Sequence, residues 1–350
     1  MPGADPPRVV VGWDVGGAHV KGCLVVDGRV CDAAQWPAPL WQGLEHLDAA
    51  LDLARQRWPE AARSGARHVA TMTGEMVDLF PHREAGVVRL AAHLAEALGP
   101  SLRLYAGASG WVEPHHAAQQ WAAIASANWR ASAELLAQRL PDAMLVDVGS
   151  TTTDLIAVRG GAVAVQGDTD AARLATGELV YHGVVRTPLC ALAARVPFRG
   201  SAVNVMNEFF ATTADVYRLT GELDPAHDQQ PTADRSGKDA HATRQRLARM
   251  VGRDARDADD TDWLALAHAW RAAQLDEIGG QLERVMHAGA IAARAPLVAA
   301  GCGAFLVHAL AARLGRACID YIDAVQAVGA RRAGLCAPAL AVAALAASER

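Results

Sequence analysis

Two stretches of the chain share one hydrophobic pattern. The apolar run from Val9 to Trp13 closes in Asp14-Val15-Gly16, and the run from Met144 to Val146 closes in Asp147-Val148-Gly149. Small and hydroxyl residues follow each: Gly17 and Ala18 in the first, Ser150, Thr151, Thr152 and Thr153 in the second. A second apolar stretch then begins, Gly22 to Val26 and Leu155 to Val158. Short apolar runs bounded by glycine and polar residues predict strands. Each segment therefore predicts a β-hairpin with an acidic, glycine-rich tip. Two of them, about 130 residues apart, predict two related half-domains that grip a phosphorylated ligand from both sides.

The rest of the pattern alternates helices and strands. Residues 8 to 31 read as two strands around the first tip. Leu44, Leu47, Leu51, Ala54 and Trp58 recur at helical spacing, which predicts a helix over 43–58 stopped by Pro59. A strand at 68–71 runs into the polar turn Thr71-Met72-Thr73-Gly74-Glu75. A helix is expected over 85–98, a strand over 102–106 and a loop over 107–116. Residues 117–140 read as one helix, with Asn128 polar on an otherwise apolar face, where it needs a partner or a ligand. Pro141-Asp142 marks a break. Strands follow over 144–166 with a turn at Gly160-Gly161, then a polar loop over 176–188. The chain turns strongly polar over 224–262, read as an exposed excursion or a mobile substrate flap. A helix over 262–294 precedes a buried strand, Pro296 to Ala300, that runs into Gly301-Cys302-Gly303 and a further helix. Pro338 to Ala347 reads as a packed C-terminal helix.

Composition narrows the class. At 350 residues, 51% hydrophobic, the chain is long enough for two domains with large cores. The charge is −5 and interspersed, without the basic block that nucleic acid or a membrane surface attracts. No leader and no membrane-spanning run is evident, so a cytoplasmic protein is expected. The six cysteines are scattered without a C-x-x-C pair and signal neither zinc nor an iron–sulfur cluster. His115-His116 lacks a third ligand at defined spacing and reads as surface. Most of the nine tryptophans are expected to fill cores.

The hairpin tips carry the chemistry. Glycine lets backbone N–H groups approach an anion closely, and the Ser150, Thr151 and Thr152 hydroxyls can donate to phosphate oxygens. A carboxylate repels phosphate, so Asp14 and Asp147 fit there with Mg²⁺, which bridges one or two carboxylates to phosphates. Gly16, Gly17 and Gly149 belong to the same phosphate-binding set, and the strand–Gly301-x-Gly303–helix unit suits a flat ring or a phosphate at a helix start.

In this order and spacing, these motifs resemble those of the actin, sugar-kinase and Hsp70 superfamily over nearly the whole chain. The first hairpin resembles its phosphate-1 loop, the second its phosphate-2 loop, and Gly301 to Phe305 its adenosine-side glycine motif. The resemblance implies an α/β fold of two RNase H-like lobes facing a central cleft. The N-terminal lobe would span 1–141, with a helix at 336–350 packing back on it. The C-terminal lobe would span 142–335, with the polar insertion near 224–262. Within that superfamily the run Asp147 to Asp154 resembles the hydantoinase A/oxoprolinase group.

Further motifs resemble those of tetrahydromethanopterin-linked C1-transfer pathway proteins, whose methanogen relatives act in methanofuran biosynthesis. They are Thr71-Met72-Thr73-Gly74-Glu75, Ala125-Ser126-Ala127-Asn128-Trp129, Gly149 to Asp154, Gly177-Glu178-Leu179-Val180-Tyr181, Arg186-Thr187-Pro188 and Glu208 to Asp215. The resemblance implies a transferase that joins an aminomethylfuran-methyl diphosphate to the phenol of a tyramine or tyrosine derivative. The products would be an aryl ether and pyrophosphate. Asp14, Asp147 and Lys21 would serve the diphosphate, with Glu75, His19 and Asp154 as alternative bases for the phenol. Thr73, Asn128, Trp129, Glu178, Tyr181 and Glu208 would contact substrate. The partners would be these small molecules, with homo-oligomerisation left open. The alternative is an ATP-dependent oxoprolinase-like hydrolase or a small-molecule kinase. Ala18 and His19 leave the first loop poor in hydroxyls, which argues against ATP, although backbone N–H groups supply much of such contacts.

Overall fold

A computed structural model describes residues 7–62, 65–327 and 331–349. Residues 1–6 and Arg350, which the sequence reading included in the first lobe, lie outside the described residues. The chain divides into two compact units. One comprises 1–141, 158–163 and 320–350, and the other 142–157 and 164–319. The second unit thus ends at Ile319, short of the expected 335.

In the first unit, β1 (Val9–Val15), β2 (His19–Val26), β3 (Arg29–Pro37), β4 (Arg67–Met72), β5 (Arg103–Tyr105) and β6 (Trp111–Val112) form one sheet in the order β3-β2-β1-β4-β5-β6. The predicted pair of strands is a three-stranded antiparallel meander, and β4 joins β1 in parallel. Every residue of β1 is buried, as a central strand covered on both faces requires. The helix Glu45–Arg57 buries Leu47, Leu51 and Ala54, as its spacing predicts, and ends before Pro59.

The C-terminal helix Ala337–Ser348 lies against β1. A Cβ on Gly12 would stand 2.1 Å from the Ala339 carbonyl and 2.8 Å from the Ala343 Cβ. That approach is why both surfaces are built from glycine and alanine. Trp13 and Trp58 fill the core beneath, with ring centroids 6.2 Å apart. The Trp13 Nε1–H donates to His68 Nδ1 (3.2 Å), and His68 Nε2 faces the Ala61 carbonyl (3.2 Å).

The expected single helix over 117–140 is two helices, Ala117–Ile124 and Asn128–Ala137. They are separated at Ser126, which adopts φ 51°. Asn128 therefore opens a helix instead of interrupting one.

The second sheet is built from β7 (Ala143–Val148), β8 (Thr153–Arg159), β9 (Ala162–Val163) and β10 (Leu179–Val180), with β11 (Arg195–Phe198) and β12 (Ser201–Asn204) forming a separate ribbon. β13 (Leu297–Ala300) and β14 (Cys318–Asp320) complete the order β10-β8-β7-β13-β14, and β9 pairs with the end of β8. β13 runs parallel to β7. The long helix Asp260–Ala288 covers this core with Trp263, Trp270, Ile278 and Leu282.

The polar segment 224–262 is not merely an exposed excursion. It contains the helix Ala240–Met250, whose Leu247, Ala248 and Met250 enter the core. Arg246 is fully buried there, its Nε 2.7 Å from Asp215 Oδ1 and its Nη1 donating to the Gly237 carbonyl. The Ser236 hydroxyl and N–H and the Arg246 guanidinium hold the Asp234 carboxyl down at about 2, against the opposing effect of burial. The segment is polar in composition because its charges pair within it, Arg246 with Asp234, and with the helix Thr213–Leu219, Arg246 with Asp215 and Asp228 with Arg218.

Candidate phosphate-binding site

Both units build their hairpin tip the same way. In the first, the Gly16 N–H donates to the His19 carbonyl (3.0 Å); in the second, the Gly149 N–H donates to the Thr152 carbonyl (2.8 Å). The last carbonyl of each first strand is taken by the turn after the neighbouring parallel strand. Thr73 N–H donates to the Val15 carbonyl (2.9 Å), and Gly303 N–H to the Val148 carbonyl (2.8 Å). The repeat read from Asp-Val-Gly thus extends to the hydrogen bonding around it.

In the first unit, Asp14 is 4% exposed and its Oδ2 lies 3.8 Å from Lys21 Nζ. Thr73 and Gly74 pack on the tip: an ideal Cβ on Gly16 would be 3.5 Å from Thr73 Oγ1, and one on Gly74 3.2 Å from the Val15 carbonyl. Glu75 is 1% exposed. Its Oε1 accepts the Ser126 hydroxyl (2.8 Å) and lies 3.5 Å from Arg83 Nη2, which itself reaches Ser126 Oγ (3.3 Å). A bridge between Met72 and Ala125 brings the Ser126–Asn128 segment beside this turn. Trp129 is buried at 4% exposure, so its ring fills the core.

In the second unit, the carbonyls of the tip face away from it, into the segment that follows β10. Gly149 O accepts from Val184 N–H (3.0 Å), and Ser150 O accepts from the N–H groups of Val185 (3.1 Å) and Arg186 (2.9 Å). Among the described residues the N–H groups of Ser150, Thr151 and Thr152 donate to no protein acceptor. Such consecutive N–H groups form an anion-binding concavity. Gly149, Ser150, Thr151 and Thr152 are half-buried, and Arg186 Nη1 stands 3.5 Å from Thr151 Oγ1. Asp147 is half-buried as well, with Gly301 drawn close: a Cβ there would sit 2.4 Å from Asp147 Oδ1. Gly301 also needs its φ of 80°. At Gly303 a Cβ would strike Val148 Cγ1 at 2.4 Å, so this glycine serves close packing of the helix Ala304–Leu314 onto β7.

The hydantoinase/oxoprolinase family profile matches residues 68–349, most of the chain. The chain belongs to that family. It is similar to the (4-{4-[2-(gamma-L-glutamylamino)ethyl]phenoxymethyl}furan-2-yl)methanamine synthase of Methanocaldococcus jannaschii, 28% identical over 262 residues that make up 74% of this chain and 76% of that one. The synthase of the same name from Methanococcus vannielii is 42% identical over 85 residues, 24% of this chain and 38% of that one. The nucleotide-free structure of acetone carboxylase superposes with a TM-score of 0.57 at 10% identity, covering 89% of this chain and 68% of that one. That likeness concerns the fold alone, an α/β fold with two mixed sheets.

Within this member of the hydantoinase/oxoprolinase family, the expected residues fall into three groups. Asp14, Gly16, Gly17, Lys21, Thr73 and Glu75 gather at the first tip, with Asn128 on the adjoining segment. Asp147, Gly149, Ser150, Thr151, Thr152, Gly301 and Gly303 gather at the second. The remaining ones are engaged elsewhere or stand apart. Asp154 Oδ1 is bound by Arg173 Nη2 (2.8 Å), a guanidinium that is itself 1% exposed. The Glu178 carboxylate is buried and takes the N–H groups of Gln166 (2.7 Å) and Gly167 (3.0 Å) and the Thr176 hydroxyl (2.9 Å). Both carboxylates anchor loops. Tyr181 is 62% exposed, and Glu208 is exposed on the turn before the helix Thr213–Leu219.

Sequence reasoning passed over Gly183. A Cβ there would lie 2.3 Å from Thr151 N and 2.4 Å from Ser150 C, so the second tip is covered by a residue that must be glycine. It also passed over Ser126 and Arg83 as the partners of Glu75. Ser126 stood in a motif run, but no local signal tied it to a carboxylate 51 positions away.

Among the described residues no group of three or more His, Cys, Asp or Glu side chains could hold a metal ion. Mg²⁺ does not require one, since phosphate oxygens and waters complete its octahedron around a single carboxylate. Asp147 is half-buried on the strand that enters the second tip, and Asp14, 4% exposed at the first, lies 3.8 Å from Lys21 Nζ. No helix among the described residues is long and apolar enough to cross a membrane.

Proposed function

We propose that this chain is a synthase that joins an aminomethylfuran-methyl diphosphate to the phenol of a tyramine or tyrosine derivative. The carbon–oxygen bond between the furan methylene and the diphosphate breaks, with the electron pair leaving on the diphosphate oxygen. The phenol oxygen bonds to that methylene, and its proton passes to a base. The products are an aryl ether and pyrophosphate. The relative from M. jannaschii is named for a product that contains a phenoxymethyl-furan unit, which supports this reading.

The observation that carries the reading is the second tip, where three consecutive N–H groups lack protein acceptors. Donors fixed before the reaction stabilise charge that grows on a leaving oxygen without having to reorganise. Ser150, Thr151 and Thr152 would hold the diphosphate, and Arg186 stands within reach of the same loop. Mg²⁺ held by Asp147 would supply neutralising charge when bound. Of the three bases considered, Asp154 is paired with Arg173 and Glu75 accepts from Ser126, so both carboxylates already have partners.

A second reading has its own support. The same named product carries a γ-glutamyl amide, and membership of the hydantoinase/oxoprolinase family favours ATP-driven amide chemistry. One experiment separates the two. Folded protein and Mg²⁺ are incubated with furan-methyl diphosphate and a phenolic amine in one arm, and with glutamate, tyramine and ATP in the other, with products read by mass spectrometry. Ether and pyrophosphate in the first arm support the proposal. Amide with ADP in the second arm alone replaces it.

A further inference from the structure

The polar segment holds a cleft of about 340 Å³ that the proposed reaction does not use. The helix Ala240–Met250 lines it with His241, Gln245 and Arg249, which are four positions apart and so share one helix face. Gly252, at φ 68°, turns the chain after the helix, and the Arg253 N–H caps the Ala248 carbonyl (3.0 Å). Arg253, Asp254 and Arg256 then line the other side. Three arginines thus border one cleft with a single carboxylate.

That carboxylate is already engaged. Asp254 caps the turn Ala255–Asp257 through its side chain and lies 3.4 Å from Arg256 Nη2. Arg249 Nη1 is 3.2 Å from Asp234 Oδ2. The acids that follow in the chain are engaged as well: Asp257 takes the Asp254 N–H, Asp260 pairs with Arg244 and Asp262 with Arg199. Arg253 differs. Its guanidinium carbon stands 5.9 Å from the centroid of the Phe198 ring, which stacks on Trp263 at 5.1 Å. Among the described residues the Arg253 side chain donates to no protein acceptor, and neither do those of His241 and Gln245. A guanidinium packed over a ring keeps its in-plane N–H groups for a bidentate acceptor.

We propose that this cleft is a second anion site, for the phosphate group of a small phosphorylated molecule, with Arg253 as its bidentate anchor. Donors come from a helix face on one side and a turn on the other. A tetrahedral phosphate offers oxygens in both directions, whereas a planar carboxylate satisfies a single fork. The volume lies at the low end for small-molecule pockets, which suits a compact ligand. The inference stands apart from the diphosphate reading, because the cleft shares no residue with the Gly149–Thr152 loop.

The test uses the whole protein with ¹⁵N-labelled arginine, observed by NMR while inorganic phosphate is titrated in at constant ionic strength. The Nε–H and backbone N–H signals of Arg253 and Arg256 should shift along one saturating curve. Saturating shifts confined to Arg186 place the anion at the second tip alone and overturn the inference. Small shifts at every exposed arginine, without saturation, mark non-specific ion pairing and overturn it too. Citrate that binds more tightly than phosphate assigns the cleft to carboxylates and overturns the choice of ligand. Arg253→Gln should weaken phosphate about 10-fold with a nearly unchanged urea midpoint, since the side chain makes no hydrogen bond to the protein. Arg253→Lys keeps the charge but loses the fork, and should fall between the parent and Arg253→Gln. Equal affinity in the parent and Arg253→Gln overturns the proposal.

Discussion

Ser126 donates its hydroxyl to Glu75 Oε1 across 2.8 Å while its own backbone is held at φ 51°. A non-glycine residue in that left-handed region costs roughly 1 kcal/mol, and such strain persists only where surrounding contacts hold it. Here the contacts are a buried carboxylate and the Arg83 guanidinium. The strain breaks one predicted helix into two and sets Asn128 at the start of the second.

Two substitutions separate strain from hydrogen bond. Ser126→Ala keeps the strained backbone and removes a hydrogen bond to a charged group, a loss of about 1.5–3 kcal/mol. Ser126→Gly removes the same bond and relieves the strain. The glycine variant should therefore be the more stable of the two by about 1 kcal/mol in urea denaturation. The reverse order would show that the left-handed backbone at position 126 carries no such strain.

His68 predicts a pH dependence of folding. The ring is 6% exposed, and burial lowers its pKa to about 4 from the ordinary 6.5. Its Nδ1 accepts from Trp13, which fits the neutral ring with the proton on Nε2 toward Ala61. The unfolded chain takes up the proton near pH 6.5, whereas the folded protein resists until about pH 4. Stability from this group is thus complete above pH 6.5 and lost as pH falls toward 4, by up to about 3 kcal/mol. Unfolding free energies measured across that window should decline, and His68→Gln should flatten the decline. An unchanged slope in the variant would assign it to other groups.

The parts of the fold that were legible in the sequence are those whose cause is local. Both Asp-Val-Gly hairpins, the helix before Pro59 and the strand–Gly–x–Gly–helix unit follow from periodicity and turn residues within a few positions. The break at Ser126 was not legible, because the spacing over 117–140 is helical throughout and the partner that stops it is Glu75. The segment 224–262 misled for a related reason. Arg246 and Asp215 are charged in any sequence, and only the fold shows that they are buried against each other. The same limit applies to the site. Asp154 and Glu178 are the right residue types for chemistry, but Arg173 and the N–H groups of Gln166 and Gly167 take up their oxygens.

The Arg173–Asp154 pair leads to a stability prediction. Arg173 also donates to the Glu178 carbonyl (3.0 Å), so it ties β8 to the end of the helix Asp170–Thr176. Removing one partner of a buried pair leaves the other charge without compensation, at about 3–5 kcal/mol. Arg173→Ala should lose stability in that range. The double variant Arg173→Met with Asp154→Leu should lose much less, since no charge is then stranded. A double variant as unstable as the single would mean that the pair's other hydrogen bonds, and not its charge, hold this corner.

Gly183 tests the construction of the second tip. An added Cβ meets Thr151 N at 2.3 Å and Ser150 C at 2.4 Å, both backbone atoms that cannot rotate aside. Nor can the Gly183 peptide withdraw, because its carbonyl accepts from the hydroxyls of Thr187 (3.2 Å) and Thr213 (2.9 Å) and from Gln274 Nε2 (3.0 Å). Gly183→Ala should therefore displace the Ser150–Thr152 loop and destabilise the protein by about 1–3 kcal/mol. Gly160→Ala is the control. Gly160 has φ 60° and open space around it, so its alanine should cost about 1 kcal/mol and leave the loop untouched. Pyrophosphate titration should show weakened binding in the Gly183 variant and parental binding in the Gly160 variant. If both variants bind alike, the N–H groups over Ser150–Thr152 are not what holds the anion.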